Sequence, residues 1–286
     1  MATNYQLALI MNLISPQKPN CIQTIFNKSC ALIGVIHLKP LPGSPNYNKQ
    51  SINEITDIAV SEAIIFEENG FDGIIIENHG DIPFLKPDMI GFETVSIMTS
   101  VSVNVKREIN LKTGINVLAN GALQAIAIAN AADADFIRAN QWVNAYIANE
   151  GFIEGEASKV LRYRRNINAE NIKIFSDVLV KHGSHAITND RDAGEQIYDS
   201  IWSDSDVIII TGNRTGDSVK KEDVVKFKGK SQLPVLIGSG VNIDNAKSLL
   251  SVCDGCIISS SLKRNGFWWE KLDEEKVKLF VDKLNE

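Results

Sequence analysis

The stretch Leu233-Pro-Val-Leu-Ile-Gly-Ser-Gly-Val-Asn242, with Gly255-Cys-Ile-Ile-Ser-Ser-Ser261 shortly after it, decides the fold. Each is an apolar run that stops at small residues, as a buried strand does where backbone N–H groups approach a ligand. In an eight-stranded α/β barrel, the loops after strands seven and eight are the usual phosphate site. A plain strand-to-helix turn would explain one such stretch, but two in tandem favour the phosphate site. The residues predicted to hold a phosphate are Gly238, Ser239, Gly240, Ser260 and Ser261.

Composition narrows the class of protein. The 286 residues are 44% hydrophobic and 22% charged, which suits one large core or two small ones. The net charge of −6 argues against binding of nucleic acid or of an anionic membrane surface. No run approaches the ~20 apolar residues of a membrane span. Among the four cysteines only Cys253 and Cys256 have metal-like spacing. Because these two bracket the start of an apolar strand, they indicate core thiols in a reducing compartment, so we expect a cytoplasmic protein.

Residues 1–30 are predicted to form a short N-terminal extension before a barrel domain, 31–286. The apolar segment Ala8-Leu-Ile-Met-Asn-Leu-Ile14 has neither a basic start nor a small-residue cleavage site, which makes it a poor signal peptide. We expect the extension to pack against the domain or a second subunit. A homodimer, or a higher homo-oligomer, is the base-rate expectation for such a barrel.

From residue 31 the chain alternates short apolar runs with segments of helical periodicity. Ser51 and Glu54 form a capping box that begins the first of these helices. Strands are predicted at 31–37, 73–77, 114–118, 135–140, 172–177, 206–211 and from 233 and 255, and helices from 51, 94, 122, 154, 192, 221, 245 and 273. Eight such units predict a single TIM (β/α)8 barrel. The alternative, a doubly wound open sheet, would place a glycine loop after the first strand, where 38–45 holds three prolines.

A short repeated motif in the sequence supports the count of eight strand–helix units. Acidic residues next to small ones open the second, fourth, sixth and eighth strands, at Asp72-Gly73, Asp133-Ala-Asp135, Asp204-Ser-Asp206 and Asp254-Gly255. Repeats of roughly 50 to 70 residues fit paired barrel units.

Polar side chains are concentrated where the predicted strands end, which is where the working residues of a barrel lie. Unpaired charge is costly at buried strand ends, so the concentration indicates a functional site. The predicted catalytic residues are His37, Glu77, Arg138, Asp177 and Lys181. The predicted substrate contacts, beyond the phosphate loops, are Asn78, Asn116, Asn140 and Thr211.

Two kinds of chemistry are compatible with these residues. Glu77, Asp81 and Asp177 would offer carboxylate ligands to Mg²⁺ or another divalent cation, although three carboxylates do not require one. The alternative is acid–base chemistry, with a carboxylate or histidine as base and Lys181 as electrostatic partner or Schiff-base amine.

Structural roles stay open for the same residues. Glu77 and Arg138 could form a buried ion pair, since buried charges are usually paired. His37 could be a core histidine bonded to a carbonyl, and Lys181 a solvated loop residue. Trp268-Trp269 is expected to serve packing only.

The chain resembles the BtpA/SgcQ family. The matching segments are 34–45, 77–84, 135–140, 151–155, 162–165, 177–182, 211–212, 215–216, 238–240 and 261–263. This resemblance implies a TIM barrel akin to ribulose-phosphate-binding barrels. Relatives include a cyanobacterial factor for photosystem I accumulation, parts of sugar-utilisation gene clusters and proteins labelled as nucleoside triphosphatases.

The sequence departs from the family pattern at two acids. Asn120-Gly121 stands where relatives usually have Asn-Asp, and Asn149-Glu150-Gly151 stands where they have Asp-Gln-Gly. Two hypotheses follow, and the missing acids favour the second. The first, based on the tandem phosphate loops that face a ring of acids, is an enzyme of isomerase, lyase or hydrolase type that acts on a phosphorylated sugar or on a nucleotide or nucleoside. The second is a non-catalytic assembly or stability factor like the photosystem-linked relatives.

Overall fold

A computed structural model describes residues 17–212, 214 and 217–286. Ten strands and nine α-helices follow in order within those residues: α1 Cys21–Phe26, β1 Ala31–His37, α2 Ile52–Glu68, β2 Gly73–Glu77, α3 Phe92–Glu108, β3 Lys112–Asn116, α4 Ala122–Ala131, β4 Phe136–Ala139, β5 Ala145–Ala148, β6 Gly151–Glu154, α5 Ala157–Asn166, β7 Lys173–Val178, α6 Ala193–Trp202, β8 Val207–Ile210, α7 Lys221–Lys228, β9 Val235–Ile237, α8 Ala246–Leu250, β10 Gly255–Ile258 and α9 Glu274–Asn285.

Eight parallel strands close into a barrel in the order β1-β2-β3-β4-β7-β8-β9-β10. The last pairing joins β10 to β1, with Ala31 opposite Gly255 and Gly34 opposite Ile258. Closure confirms the predicted TIM barrel and rules out the open sheet, because an open sheet leaves two edge strands. The Ser51–Glu54 capping box is also confirmed at the start of α2.

Two apolar layers hold the barrel together. The inner layer fills the barrel and includes Phe136 stacked on Phe175, with ring centroids 4.2 Å apart. Part of the predicted extension closes the amino-terminal end of the barrel, since Ile22 and Phe26 of α1 belong to this inner layer. The predicted apolar segment at 8–14 lies outside the described residues. The outer layer packs the helices against the sheet.

The main difference from the predicted elements is a hairpin between β4 and α5. Strands β5 and β6 pair antiparallel, where a loop and the start of a helix at 154 were expected. Gly151 has φ +97°, which a residue without a side chain adopts at little cost, and it follows the turn at 149–150. Tyr146 and Ile153 bury their side chains against Val180, so the hairpin folds onto the loop after β7.

The acids that open alternate strands form a repeated contact at the amino-terminal end of the barrel. One carboxylate oxygen of each acid accepts the backbone N–H of a residue in the preceding barrel strand. These bonds are Leu32 to Asp72 at 2.8 Å, Thr113 to Asp135 at 2.9 Å, Ile174 to Asp206 at 2.9 Å and Val235 to Asp254 at 2.7 Å. The repeated acids therefore link the barrel strands in four pairs. They lie at the amino-terminal end of the barrel, where residues contribute to stability rather than to function.

No helix among the described residues is both long and apolar enough to cross a membrane.

Candidate active site

A cavity of about 550 Å³ opens at the carboxyl ends of the barrel strands. Its walls bring together ten of the residues predicted from the sequence: His37, Glu77, Arg138, Asn140, Lys181, Gly238, Ser239, Gly240, Ser260 and Ser261. These come from six different barrel strands or the loops after them. The predicted catalytic groups and the predicted phosphate loops therefore face one space.

The two phosphate loops form one wall of this cavity. Among the described residues, the backbone N–H groups of 239–241, 260 and 261 donate to no protein acceptor. The Ser239 hydroxyl holds the first loop in place, since it accepts the Gly212 N–H at 3.2 Å and donates to the Asp217 carbonyl at 3.2 Å. Gly240 has φ +72°, and a Cβ there would collide with Asp217. Five donors with no acceptor in the described part of the chain therefore belong to residues that line this cavity, which suits an anion.

Glu77 lies between two histidines and an amide donor in the same cavity. Its Oε1 lies 2.7 Å from His79 Nδ1 and 3.7 Å from His37 Nε2, and its Oε2 accepts the Asn116 amide at 2.6 Å. Burial alone would raise the pKa of Glu77, but His79, His37 and Arg138 outweigh burial and hold the pKa well below its usual range. Glu77 is therefore an ionised carboxylate at neutral pH.

His37 is buried beside this carboxylate. Burial lowers its pKa well below the usual value, and the charge of His79 adds to that effect against the opposing pull of Glu77. His37 Nδ1 lies 3.3 Å from the Trp268 carbonyl oxygen. The bond to a carbonyl matches the core role left open by the sequence, but His37 also lines the cavity.

Arg138 pairs with Asp177, not with Glu77. Its Nε and Nη2 donate to the two Asp177 oxygens at 3.0 and 2.8 Å. The side chains are 4% and 0% exposed, so the pair is fully buried. Burial alone would lower the pKa of Arg138, but Asp177 outweighs it and raises that pKa. Asp177 does not line the cavity, so its role is to hold Arg138 in place rather than to contact a substrate.

Lys181 is an amine in the cavity wall with a lowered pKa. It follows β7 and lies near Arg138, Glu77 and Asp177. Burial, and then the positive charge of Arg138, lower its pKa to about 8. A pKa near neutrality suits proton transfer or nucleophilic attack, because an appreciable fraction of the amine is then unprotonated. Lys181 is therefore not the solvated loop lysine that the sequence left open.

Four predicted residues do not line the cavity but form hydrogen bonds to residues and loops around it. Asn116 holds Glu77, and Asn78 accepts the Leu118 N–H at 2.7 Å. The Thr211 hydroxyl accepts the Lys181 N–H at 3.1 Å. Asp81 accepts the Leu41 N–H at 2.8 Å and the Asn78 amide at 3.0 Å. Asn140 differs from these, because it does line the cavity and its buried Oδ1 has no partner among the described residues.

The structure does not bring Glu77, Asp81 and Asp177 together as metal ligands. Asp81 accepts the Leu41 N–H, and both oxygens of Asp177 accept hydrogen bonds from Arg138, so these carboxylates are already engaged elsewhere. In the part of the chain that is described, one group of potential ligands converges closely enough to share an ion: His37, Glu77 and His79.

The sequence analysis missed three contributions to the site. Trp268 lines the cavity, and its ring lies edge-on to His79 with centroids 4.4 Å apart, so its role exceeds packing. The hairpin supplies Tyr146 and Glu150. Glu150 restores a carboxylate one residue beyond the missing family acid. The signal for the hairpin was Asn149-Glu150-Gly151 between two short β-prone pairs.

Comparison with solved structures agrees with the barrel. The geranylgeranylglyceryl phosphate synthase of Thermoplasma acidophilum, in complex with sn-glycerol-1-phosphate, aligns with TM-score 0.58 and 14% identity over 93% of this chain and 99% of that chain. The N-(5'-phosphoribosyl)anthranilate isomerase of Pyrococcus furiosus aligns with TM-score 0.54 and 11% identity over 89% and 98%. At such identities the likeness shows the fold alone, an eight-stranded parallel barrel with surrounding helices.

Relatives by sequence are much closer. An uncharacterised protein of Archaeoglobus fulgidus is 41% identical over 87% of this chain and 96% of its own length. The photosystem I biogenesis protein BtpA of Synechocystis is 36% identical over 89% of this chain and 88% of its own. The model of the BtpA family matches residues 28–286, and the chain belongs to the BtpA family.

Proposed function

We propose that this barrel is an enzyme that binds a small phosphorylated molecule, a sugar phosphate or a nucleotide, and transforms it by isomerase, lyase or hydrolase chemistry. One observation carries the proposal: a single cavity has unpaired backbone donors on one wall and Lys181, Glu77 and Arg138 on another. Such a cavity can hold an anionic group at one end and react at the other.

The donor wall supports a phosphate more than a carboxylate. Five N–H groups with no acceptor among the described residues belong to two loops that line one cavity, and a phosphate offers three or more acceptor oxygens where a carboxylate offers two. The structural neighbour from Thermoplasma was solved with a glycerol phosphate, and the Pyrococcus neighbour is named for a phosphoribosyl substrate. The shared fold makes a phosphate ester the first class to test.

Three charged side chains elsewhere in the cavity support proton transfer. With a pKa of about 8, roughly a tenth of Lys181 is unprotonated at pH 7. Lys181 can therefore take a proton from carbon or oxygen, or attack a carbonyl. Glu77, a weak base because its pKa is lowered, can accept a hydrogen bond from a substrate hydroxyl, and the positive charge of Arg138 in the same cavity would stabilise an enolate or alkoxide.

A thermal-shift screen of sugar phosphates and nucleotides tests the binding step. A ligand at 100 times its Kd stabilises the protein by about 2.7 kcal/mol. With an unfolding entropy of ~0.6 kcal/mol/K for a chain of this length, that is a Tm rise of about 4–5 °C. The unphosphorylated sugars and nucleosides serve as the matched ligands and should give no shift.

Ser260 offers a pair of variants for the same screen. Its hydroxyl makes no hydrogen bond to a described residue, whereas a change at Gly240 would strike Asp217 and disturb the loop itself. S260D adds a negative charge to the donor wall and should abolish the shift, while S260N, of equal size, should keep most of it. Equal shifts in both variants, or no shift from any phosphate ester, would refute the proposed site.

Resemblance to the Synechocystis protein supports a second candidate, a non-catalytic assembly factor. An affinity pull-down under several salt conditions tests it. An assembly factor should recover a specific partner with wild-type protein and equally with a K181M variant, which removes the reactive amine. An enzyme should lose turnover in K181M and recover no such partner.

A further inference from the structure

We propose that His37, Glu77 and His79 form a binding site for a late first-row transition-metal ion, for which Zn²⁺ is the best match. His37 lies on β1, which pairs with β10, and its Nδ1 is 3.5 Å from the Ser259 hydroxyl, so the site lies beside the second phosphate loop in the same cavity. It does not depend on the proposed substrate, because β1, β2 and the loop after β2 bring the three side chains together.

The donor atoms are close to the spacing that a zinc ion needs. Metal bonds of about 2.0–2.1 Å in a tetrahedron place neighbouring ligand atoms roughly 3.3 Å apart. Glu77 Oε1 lies 3.7 Å from His37 Nε2 and 2.7 Å from His79 Nδ1. All three donor atoms lie within 4.8 Å of one another. Shifts of well under 1 Å along the two measured separations would bring them to tetrahedral distances.

The contact of His37 Nδ1 with a backbone carbonyl leaves Nε2 as the ring nitrogen that can bind a cation. A carbonyl oxygen can only accept, so a hydrogen bond between Nδ1 and the Trp268 carbonyl oxygen, 3.3 Å apart, assigns the ring proton to Nδ1. In the neutral ring, Nε2 then presents its lone pair towards Glu77. Two acceptors, the Nε2 lone pair and the carboxylate oxygen, face each other at 3.7 Å. A cation between them turns this repulsion into two bonds.

A hydrogen bond from Asn116 fixes the orientation of Glu77 in the same way. Asn116 donates to its Oε2 at 2.6 Å, and Asn116 is itself fully buried on the end of β3. Metal sites in proteins commonly have such outer partners, a carbonyl behind a histidine and an amide behind a carboxylate, because these partners fix the orientation of the ligands. The side chains of His37, Glu77 and His79 are only 8%, 6% and 13% exposed, so little water competes for them.

The ligand types select the metal. Imidazole nitrogen suits zinc and its neighbours, whereas Mg²⁺ prefers oxygen ligands alone. Two histidines and one glutamate are three protein ligands, the number found in catalytic zinc sites that leave a fourth position for water or substrate. Since all three residues line the cavity, that position would be reached from the cavity. The nearby Arg138 does not oppose the ion strongly, because Asp177 balances its charge.

Metal titration of the full-length protein tests the inference directly. The protein is stripped with a chelator and titrated with Zn²⁺, Co²⁺, Mn²⁺ and Mg²⁺. Bound metal is counted by mass spectrometry, and the visible absorption of Co²⁺ reports the coordination number. We expect one equivalent of Zn²⁺ or Co²⁺ per chain, a four- or five-coordinate Co²⁺ spectrum, and much weaker binding of Mg²⁺.

Three variants identify the ligands. E77Q and H79Q keep the side-chain size and should weaken binding by more than the roughly 10–100-fold typical of losing an outer partner. H185Q is the matched control, because His185 stacks on Tyr146 and bonds to the Val180 carbonyl outside the group. Circular dichroism and melting curves confirm that each variant folds.

Substoichiometric zinc, equal binding in H79Q and H185Q, or a preference for Mg²⁺ would overturn the assignment. Since no substrate is present in the titration, its failure is distinguishable from failure of the phosphate screen.

Discussion

The Arg138–Asp177 pair provides the sharpest test of how the site is held. The perturbation is D177N, which keeps the shape of the side chain and one oxygen acceptor but removes the charge. Both side chains are almost fully buried, and Asp177 accepts from two guanidinium nitrogens. The variant leaves a buried arginine without its counter-ion.

The magnitude follows from that burial. Removing one partner of a buried ion pair costs about 3–5 kcal/mol, because the remaining charge is desolvated and unpaired. For 286 residues the entropy of unfolding is ~0.6 kcal/mol/K, so Tm should fall by about 5–8 °C. Glu77 also attracts Arg138, which places the expected fall nearer the lower value.

Thermal unfolding followed by circular dichroism measures the effect, with D192N as the control. Asp192 pairs with Lys230 at 2.8 Å on the surface, and asparagine preserves its role as the cap of α6. An exposed pair contributes within about 1 kcal/mol, so D192N should change Tm by less than ~2 °C. If D177N also changes Tm by less than ~2 °C, the buried pair does not hold Arg138, and the reasoning is refuted.

Three further predictions follow from the structure. Labelling of Lys181 by an amine-reactive reagent, read by mass spectrometry, should rise with pH about a midpoint near 8, because only the unprotonated amine reacts; a midpoint above 10 would contradict the lowered pKa. D206A should destabilise by about 1–3 kcal/mol, since the buried Ile174 N–H loses its acceptor, whereas D206N keeps an acceptor and should cost less in denaturant unfolding. Ligand binding in the cavity should change tryptophan emission through Trp268, and W268F should remove the change; an unaltered response in W268F would place the ligand elsewhere.

The lowered pKa of Lys181 also has a consequence for stability. Because the folded-state pKa lies below that of the unfolded chain, the unfolded state binds more protons between about pH 8 and 10.5. The contribution of Lys181 to stability is therefore least favourable below pH 8 and rises with pH through that window.

Much of the site was predictable because barrel strands carry their working residues at one end. Periodicity located every barrel strand to within a few residues, and the side chains at those strand ends were then confined to one rim. The small residues of 238–240 and 260–261 predicted the donor wall for the same reason. These inferences needed only local pattern and the rule of the fold.

Partners across the barrel were not predictable in this way. The sequence offered Glu77 and Asp177 as equivalent acids, yet one is surrounded by histidines and the other is bound to Arg138. Residues that are neighbours at the carboxyl ends of adjacent strands lie about 40 positions apart in the chain. The register of the strands decides which of them come into contact.

By itself the sequence determined the eight strand units, the paired acids that open alternate strands and the small-residue loops, because each depends on residues close together in the chain. Only the tertiary structure decided that Trp268 joins the site, that Asp81 and Asp177 leave the predicted metal set, and that Lys181 is partly buried beside Arg138. The physical reason is that charge pairing and desolvation depend on distances across the closed barrel, and those distances exist only after the strands have paired.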